Sequence, residues 1–267
     1  MEINRLIKQI RKHSTFLARG LRPTALHGRL VGPKVIVNSV PKSGTNLLQE
    51  IVTLLPLMRG KVTPTLMNRT DSLIIKLNAL KKGQCVPAHI QYEVCIDQAI
   101  KENDIRHILI IRDFRDVVYS NIQYVESIHI THPHNKFLST LSTLDEKIQA
   151  ILLGAPDVKM IALPDFISKY RAWTMCGSTL VVRFENLISP DSNISEMEIH
   201  RIIDYLNIVS VVPDIDVSEI REKMFNPNGT TFNAPGIGKW KKNFNQHQIA
   251  MLNQALAEEL IFFGYDV

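Results

Sequence analysis

Short apolar runs alternate along the chain with longer stretches of helical periodicity. Four runs have the length and the β-branched content of buried strands, at residues 35–40, 85–89, 107–112 and 179–184. Apolar positions recur with helical spacing at residues 45–55, 93–102, 113–127, 143–152, 164–175, 195–206 and 246–262. Strands that alternate with helices in this way predict an α/β fold with a mainly parallel central sheet and helices on both of its faces.

The first residues have an amphipathic pattern of their own. Ile3, Leu6, Ile7 and Ile10 are apolar among basic neighbours, which predicts a short basic amphipathic helix within residues 1–20. Such a helix either covers an edge of the core or makes peripheral contact with a membrane surface rich in acidic lipid. It lacks the uninterrupted apolar stretch of a secretory signal, and no run approaches the about 20 apolar residues of a membrane span. We therefore expect a cytoplasmic protein.

Composition is consistent with one enzyme domain over residues 1–267. A chain of 267 residues that is 45% hydrophobic can bury a single large core. Its three cysteines have no metal-binding spacing. Because their number is odd, at least one has no disulfide partner within the chain, which favours a reducing compartment. Cys85 and Cys95 are expected to be small buried residues.

The net charge of +5 and the isoelectric point near 9.1 are compatible with an anionic cofactor. A membrane surface or a nucleic acid would also suit this charge. Base-stacking aromatics in a basic groove would support nucleic-acid binding, yet aromatic residues are only 7% of the chain and are scattered. No nucleic-acid partner is therefore expected.

A loop with the features of an anion-binding site follows the first predicted strand. Pro41-Lys42-Ser43-Gly44-Thr45-Asn46 joins that strand to the next predicted helix. A glycine-containing turn at a helix start collects unpaired N–H groups and the positive end of the helix dipole, which together bind phosphate or sulfate. Lys42 adds a charge, and Ser43, Thr45 and Asn46 add donors. The loop is not a Walker A motif, in which the lysine follows the last glycine.

A second anion site is indicated after the third predicted strand. Arg112 ends that strand, and Ser120 follows eight positions later on the next predicted helix. A guanidinium offers a planar fork of donors suited to phosphate, and a hydroxyl adds a directional hydrogen bond. The alternative is a surface cluster in which Arg112 and Arg115 exchange weak ion pairs with Asp113 and Asp116. Ligands of open α/β sheets bind at the carboxyl ends of strands, and this favours the phosphate site.

These two sites resemble those of sulfotransferases that use 3′-phosphoadenosine 5′-phosphosulfate (PAPS). Pro41-Lys42-Ser43-Gly44-Thr45 is similar to the family's 5′-phosphosulfate loop, whose lysine reaches the oxygen that bridges phosphate and sulfate. Arg112 with Ser120 is similar to the family's 3′-phosphate site.

A third matching segment lies at residues 231–244. Gly238, Trp240 and the trailing Phe244 match the family's loop that closes over the nucleotide, and Phe232 is expected near the adenine. Asn233-Ala234-Pro235 replaces the family's Arg-Lys-Gly triplet, and Lys239 replaces an acidic residue. Cationic contacts to the 3′-phosphate are then either missing or supplied by one of three lysines, Lys239, Lys241 or Lys242. Weaker cofactor binding is one possible consequence.

A histidine follows the second predicted strand, between the two phosphate sites. In the cytosolic branch of the family a histidine at this place acts as the base on the acceptor hydroxyl, and His89 resembles it in order and context. Imidazole suits that task because its pKa lies near neutrality. Other branches use a glutamate, which makes Glu93 the reserve candidate. The alternative role for His89 is to pack against or cap a strand end.

The resemblance implies a P-loop-like three-layer α/β/α fold and transfer of a sulfuryl group from PAPS to a hydroxyl or amine. The acceptor would be a small molecule or a glycan. His89 would remove its proton, Lys42 would stabilise charge on the bridging oxygen, and Ser43, Gly44, Thr45 and Asn46 would hold the 5′-phosphate. No metal is expected, because lysine and loop amides neutralise the charge. The alternatives are a P-loop kinase or NTPase, and a non-catalytic nucleotide-binding relative.

The remaining clusters have structural interpretations. Arg183 and Glu185 are expected to form a framework ion pair. His129, His132 and His134 lack the regular ligand geometry of a metal site and are assigned to an acceptor-side loop. Residues 58–80 and 127–163 are expected to shape the acceptor pocket. Within the first range, five apolar residues would either line that pocket or belong to a core helix: Leu66, Met67, Leu73, Ile74 and Ile75. An acidic glycan as the acceptor would instead be favoured by three lysines, Lys76, Lys81 and Lys82.

Overall fold

The computed structural model describes residues 25–61, 64–68, 70–127, 133–225 and 236–267. Several predicted features lie outside the described residues: the helix within residues 1–20, His129, His132, Phe232 and Asn233-Ala234-Pro235. The described strands are β1 Lys34–Ser39, β2 Gly60–Lys61, β3 Leu66–Met67, β4 Gln84–His89, β5 Ile105–Ile111 and β6 Thr179–Arg183. The described α-helices are α1 Ala25–Val31, α2 Thr45–Leu54, α3 Thr70–Asn78, α4 Val94–Glu102, α5 Phe114–Ser127, α6 Pro133–Thr140, α7 Leu144–Leu153, α8 Leu163–Ser168, α9 Arg171–Met175, α10 Phe184–Leu187, α11 Ser192–Tyr205, α12 Val217–Lys223, α13 Lys239–Asn243 and α14 Gln246–Phe262.

Every described strand pair in the sheet is parallel. The strand order is β2-β4-β1-β5-β6, with β3 also paired to β4. Gly60 pairs with Gln84 near the start of β4, and Met67 pairs with His89 at its end. β2 and β3 therefore lie one after the other along the same edge of β4. Because β1 is flanked by β4 and β5, the residues that follow these three strands meet at one edge of the sheet.

Helices cover both faces of this sheet. Ile36, Val86 and Leu109 point to one face, where they pack in a core cluster with Trp173 and with apolar residues of α3, α4, α5 and α14. Val35, Val37 and Ile108 point to the other face and pack against α2, α11 and α12. Alternate residues of each strand thus pack into cores on opposite faces of the sheet, which explains why the central strands are apolar at nearly every position. The three-layer α/β/α prediction is confirmed.

The predicted strands are all present, while one predicted helix is divided. Residues 164–175 form α8 and α9, which are separated at Lys169 and Tyr170. The carbonyl oxygen of Lys169 accepts a hydrogen bond from the backbone N–H of Tyr92 at 3.0 Å, and Trp173 N–H donates to Tyr170 O instead. A tertiary contact therefore breaks the helix. The sequence pattern did not reveal α1, α6, α10, α12 or α13, and it gave α3 only as the core-helix alternative for residues 66–75.

The exposure of two groups of residues differs from expectation. Cys85 is buried as predicted, but Cys95 is exposed on α4, so its assignment as a buried residue was wrong. In the 66–75 segment, Leu66 and Leu73 belong to the core, whereas Met67 and Ile75 are exposed. In the described residues no helix is long and apolar enough to cross a membrane.

The outer edge of β6 is covered by side chains of α11. The backbone N–H of Arg183 donates to Glu198 Oε1 at 3.2 Å, and Arg201 Nη2 donates to the Val181 carbonyl oxygen at 3.3 Å. Arg201 Nη1 also binds both carboxylate oxygens of Glu198 at 2.8 Å. One ion pair thus satisfies edge donors and acceptors that a further strand would otherwise use.

The predicted ion pair between Arg183 and Glu185 is not formed; each residue binds the end of the chain instead. Arg183 Nη2 donates to the carbonyl oxygen of Phe263 at 2.6 Å, and its guanidinium stacks on the Tyr265 ring at 4.7 Å. Glu185 accepts a hydrogen bond from the Tyr265 hydroxyl at 3.0 Å. Both residues are framework residues, as expected, but they attach residues 263–265 to the end of β6.

Candidate active site

The loop after β1 has the backbone geometry of an anion-binding turn. Gly44 has a φ of 106°, in the left-handed region, and caps the start of α2. A Cβ atom at Gly44 would lie 2.5 Å from the Phe184 ring, so glycine is required both by conformation and by space. Lys42 also has a positive φ, of 72°, which is unusual for a residue with a side chain. These turns direct the chain so that the first N–H groups of α2 face the loop.

Lys42 lies beside an aromatic ring of α5. Its Nζ atom is 3.0 Å from the centroid of the Tyr124 ring. Burial lowers the pKa of the Lys42 ammonium to about 8, so the group is still mostly charged at neutral pH. Sequence reasoning missed Tyr124, although its position four residues after Ser120 places both on one side of a helix.

His89 is held at the end of β4 in one tautomer. Its Nδ1 atom is 2.9 Å from the carbonyl oxygen of Ser39, and a carbonyl can only accept, so Nδ1 carries the proton. The Nε2 atom is then the ring nitrogen with a free lone pair. Burial lowers the pKa of His89, the Ser39 hydrogen bond opposes that shift, and the Lys42 charge adds to it. His89 is therefore neutral at pH 7 and able to accept a proton at Nε2.

An asparagine of β1 fixes the relative position of the lysine loop and the histidine. Asn38 donates from Nδ2 to the Ile90 carbonyl oxygen at 2.8 Å and accepts from the Ile90 N–H at 2.8 Å. The neighbouring Ser39 hydroxyl lies 2.5 Å from the Thr45 hydroxyl at the start of α2. A polar residue in a strand this apolar was the signal that could have found Asn38.

Arg112 is buried at the end of β5 and is directed toward the lysine loop. Its Nη1 donates to the Lys42 carbonyl oxygen at 3.3 Å, and its Nη2 to the Gly236 carbonyl oxygen at 3.1 Å. The guanidinium stacks on Phe184 at 4.3 Å and lies 3.6 Å from Asp116. Burial lowers the pKa of Arg112, but an arginine remains charged after such a shift.

The neighbouring charges are also buried, so Arg112 and Arg115 do not lie at the surface. The ion pairs of the alternative interpretation are nevertheless formed, between Arg112 and Asp116 and between Arg115 and Asp113. Arg115 binds both carboxylate oxygens of Asp113 at 2.9–3.0 Å. Its guanidinium lies 4.0 Å from the Trp240 ring, and Trp240 Nε1 donates to Asp113 at 3.1 Å. Asp116 accepts the backbone N–H groups of Gly238 at 2.8 Å and Trp240 at 3.1 Å. We call Asp113, Arg115, Asp116 and Trp240 the tryptophan latch.

Two buried polar atoms near the loop lack a hydrogen-bond partner among the described residues. They are Ser43 Oγ in the lysine loop and Arg112 Nε at the end of β5. Buried donors are normally satisfied, so each atom is suited to bind a ligand. Both lie in the segments to which the sequence assigned the two phosphate groups.

The other predicted residues take different positions. Asn46 is exposed near the start of α2, and Ser120 is half-buried on α5. Gly238, with a φ of 66°, caps the short helix α13. Glu93, the reserve base, lies at the N-cap position of α4 without a side-chain capping bond and accepts a hydrogen bond from Asn68 Nδ2 at 2.9 Å.

The lysines of α13 and the histidines assigned to the acceptor-side loop can be placed in part. Lys239 is half-buried and Lys242 is exposed, whereas Lys241 lies over the Trp240 ring at 5.3 Å. His134 is half-buried on α6. No group of three His, Cys, Asp or Glu side chains suited to a metal occurs in the described parts of the chain.

Comparison with known proteins gives two kinds of match. The family model described as "Sulfotransferase domain" matches residues 32–264. The chain resembles the crystal structure of mouse sulfotransferase SULT7A1 complexed with PAP, with a TM-score of 0.62 at 17% identity over 85% of this chain and 84% of that one.

Two structures of retinol dehydratase are similar as well. One is a complex with androsterone and inactive cofactor PAP, with a TM-score of 0.54 and 12% identity; the other is a complex with retinol and PAP, with a TM-score of 0.53 and 13% identity. Each alignment covers 91% of this chain and 85% of that protein. No curated protein matches the chain significantly.

Proposed function

Because the chain belongs to the sulfotransferase family, we propose that it transfers the sulfuryl group of PAPS to a hydroxyl or amine by in-line displacement. The family and the enzyme class agree with the prediction from the motifs. The observation that carries the residue assignments is the position of His89, whose Nδ1 binds the carbonyl oxygen of Ser39 just before the lysine loop. A base and a cation are thereby adjacent at the carboxyl edge of the sheet.

Proton transfer is assigned to His89. Its Nε2 accepts the proton of the acceptor hydroxyl or amine as the acceptor atom bonds to sulfur. The bond between sulfur and the bridging phosphate oxygen breaks, and adenosine 3′,5′-bisphosphate (PAP) leaves. The Ser39 carbonyl keeps the ring in the required tautomer and stabilises the positive imidazolium that forms.

Charge stabilisation is assigned to Lys42 and the loop. The ammonium of Lys42 neutralises charge that grows on the bridging oxygen, and the amides and side chains of Ser43, Gly44, Thr45 and Asn46 hold the 5′-phosphate. The contact between the Ser39 and Thr45 hydroxyls, at 2.5 Å, joins this loop to β1 before the reaction. The buried Ser43 Oγ supports this assignment because it is a polar atom suited to an anionic group.

Recognition of the 3′-phosphate is assigned to Arg112 and Ser120. Arg112 is buried next to the loop. Its Nε is a buried donor without a hydrogen-bond partner among the described residues, which supports an anionic ligand here. Gly238 and Trp240 shape the closing loop. Phe232, which lies outside the described residues, is assigned to the adenine on the family resemblance alone.

The acceptor proposed is a small molecule with a hydroxyl or amine. Two of the structurally similar proteins were crystallised with retinol or androsterone, which are apolar alcohols. Leu66 and Leu73 are buried in the same core cluster as Trp173, whereas Met67 and Ile75 of the same segment expose apolar surface. A glycan acceptor remains the alternative, on the basis of Lys76, Lys81 and Lys82.

The chain is proposed to act as one cytoplasmic domain that can contact membranes through its N-terminal residues. Residues 1–24 contain six basic and one acidic residue, which accounts for the whole net charge of +5. The adjacent Arg29, Leu30 and Val31 are exposed at the end of α1. Basic and apolar residues side by side suit the surface of an anionic membrane.

Calorimetric titration with PAP, AMP and magnesium-ATP tests the proposed function. We expect PAP to bind and AMP, which lacks the 3′-phosphate, to bind much more weakly. Arg112→Ala should weaken PAP binding by about 10- to 100-fold, since it removes a charge-assisted contact. Preference for magnesium-ATP would instead indicate a kinase, and no binding of any nucleotide would indicate an inactive relative.

A further inference from the structure

The cation of the lysine loop is supported by an aromatic ring that the proposed reaction does not otherwise use. Tyr124 lies on α5, half-buried, with its ring face 3.0 Å from Lys42 Nζ. We infer that Tyr124 is a positioning residue, whose ring holds the Lys42 ammonium in place for the transfer step. This inference rests on the proposed role of Lys42 in sulfuryl transfer.

The surroundings of Lys42 explain why a ring is needed. Among the described residues no carboxylate lies within ion-pair distance of its Nζ atom. The positive Arg112 guanidinium donates to the backbone carbonyl oxygen of Lys42, and the Lys42 charge helps to lower the pKa of His89. The positive Arg112 disfavours a second cation nearby, and the neutral His89 carries no negative charge to balance it. The face of a tyrosine ring attracts a cation by its quadrupole, without adding a negative charge that would repel a phosphate or sulfate.

The position of Tyr124 along α5 links the two ends of the donor site. Ser120, assigned to the 3′-phosphate, precedes Tyr124 by one helical turn, so both lie on the same side of the helix. α5 also contains Arg115 and Asp116 of the tryptophan latch in its first turn. One rigid helix therefore fixes the distance between the hydroxyl for the 3′-phosphate and the ring beneath the lysine.

Removing the Tyr124 ring should lower both the pKa of Lys42 and the turnover. The ring stabilises the charged form of Lys42, so its loss should lower a pKa that burial already brings to about 8. A smaller fraction of the lysine would then be charged at neutral pH, and its ammonium would be less well placed. Turnover should fall more than the affinity for PAP, which has no sulfate for Lys42 to contact.

The test compares Tyr124→Phe, which keeps a ring face, with Tyr124→Leu and Tyr124→Met, which do not. Trace labelling of Lys42 with acetic anhydride across a pH series, read by mass spectrometry, gives its pKa without any turnover. We expect the wild type and Tyr124→Phe to agree, and the two ringless variants to show a pKa lower by about one unit. The alkaline limb of the pH–rate profile should move by the same amount.

A matched control comes from the same helix. Tyr119 packs edge-on against Phe244 at 5.8 Å and makes no ring contact with Lys42 among the described residues, so Tyr119→Leu should leave the Lys42 pKa unchanged. Equal Lys42 pKa values in Tyr124→Phe and in both ringless variants would overturn the inference. If the pKa responds to the ring but no sulfuryl transfer is found in the wild type, the proposed function fails while the lysine–ring contact stands.

Discussion

Two histidines on the strands that flank β1 have opposite environments. His89 ends β4, where Nδ1 binds Ser39 O and Nε2 is the nitrogen proposed to accept the acceptor's proton. His107 lies within β5, fully buried against the Trp173 ring at 4.2 Å, with Nδ1 2.9 Å from the Thr179 hydroxyl. The difference follows from position, because strand interiors are enclosed by both helical layers and strand ends are open.

At the scale of the residue, we expect His89→Asn to separate catalysis from binding. Asparagine can still donate to Ser39 O but cannot act as a base, so kcat should fall by roughly 10²- to 10⁴-fold. Calorimetry should show little change in PAP affinity. Lys42→Ala should also lose turnover in a folded protein, whereas Glu93→Gln, which can still accept the hydrogen bond from Asn68 Nδ2, should retain it. Full activity of His89→Asn would transfer the role of base to Glu93 or to a water molecule.

At the scale of the element, the short helix α13 depends on contacts from α5. A five-residue helix is not stable alone, and its first N–H groups are satisfied by the Asp116 carboxylate. Asp116 also lies beside Arg112. The tryptophan latch thereby couples α13 to the end of β5.

Asp116→Ala should therefore weaken PAP binding by about 10- to 100-fold, because α13 loses its anchor and Arg112 loses a carboxylate neighbour. Calorimetry measures the affinity. Asp191→Ala is the matched control: Asp191 caps α11 through the Asn193 N–H at 2.9 Å, away from the residues assigned to the cofactor. That variant should lose about 1 kcal/mol of unfolding free energy and keep its PAP affinity. Equal PAP binding by wild type and Asp116→Ala would contradict the coupling.

Short elements were the part of the fold that sequence patterns did not reveal. The strands β1, β4, β5 and β6 were predicted because buried parallel strands are apolar at every position. β2 and β3 have two residues each, too few to show any period. Likewise Lys42 and Arg112 were found from local motifs, but Tyr124 and Asn38 gain their roles from contacts between elements distant in sequence.

At the scale of the whole molecule, His107 should make stability depend on pH. Burial lowers the pKa of His107 to about 3, whereas the unfolded chain has an ordinary value near 6.5. Only the unfolded state takes up this proton between these values, so the free energy of unfolding should fall as pH decreases from about 6.5 to 3. The slope from this one group is about 1.4 kcal/mol per pH unit.

Urea denaturation at pH 7 and pH 5 measures this effect against His107→Gln, which does not titrate and can still donate to Thr179. The variant should lose less stability between the two pH values than the wild type does. Other groups contribute to both proteins and cancel in the comparison. Equal losses of stability in the two proteins would show that the folded state does not lower the pKa of His107.

The Glu198–Arg201 pair has a consequence for how copies of this enzyme can associate. Glu198 and Arg201 of α11 bind Arg183 N–H and Val181 O, so this edge of the sheet has fewer free groups with which to pair another strand. The opposite edge of the sheet consists of β2 and β3, two strands of two residues each, which are too short to pair with a strand of another copy. Among the described residues neither edge of the sheet offers a free strand for pairing. We therefore expect two copies of this chain to associate through helices or loops, and the folded sheet to resist edge-to-edge growth into fibrils.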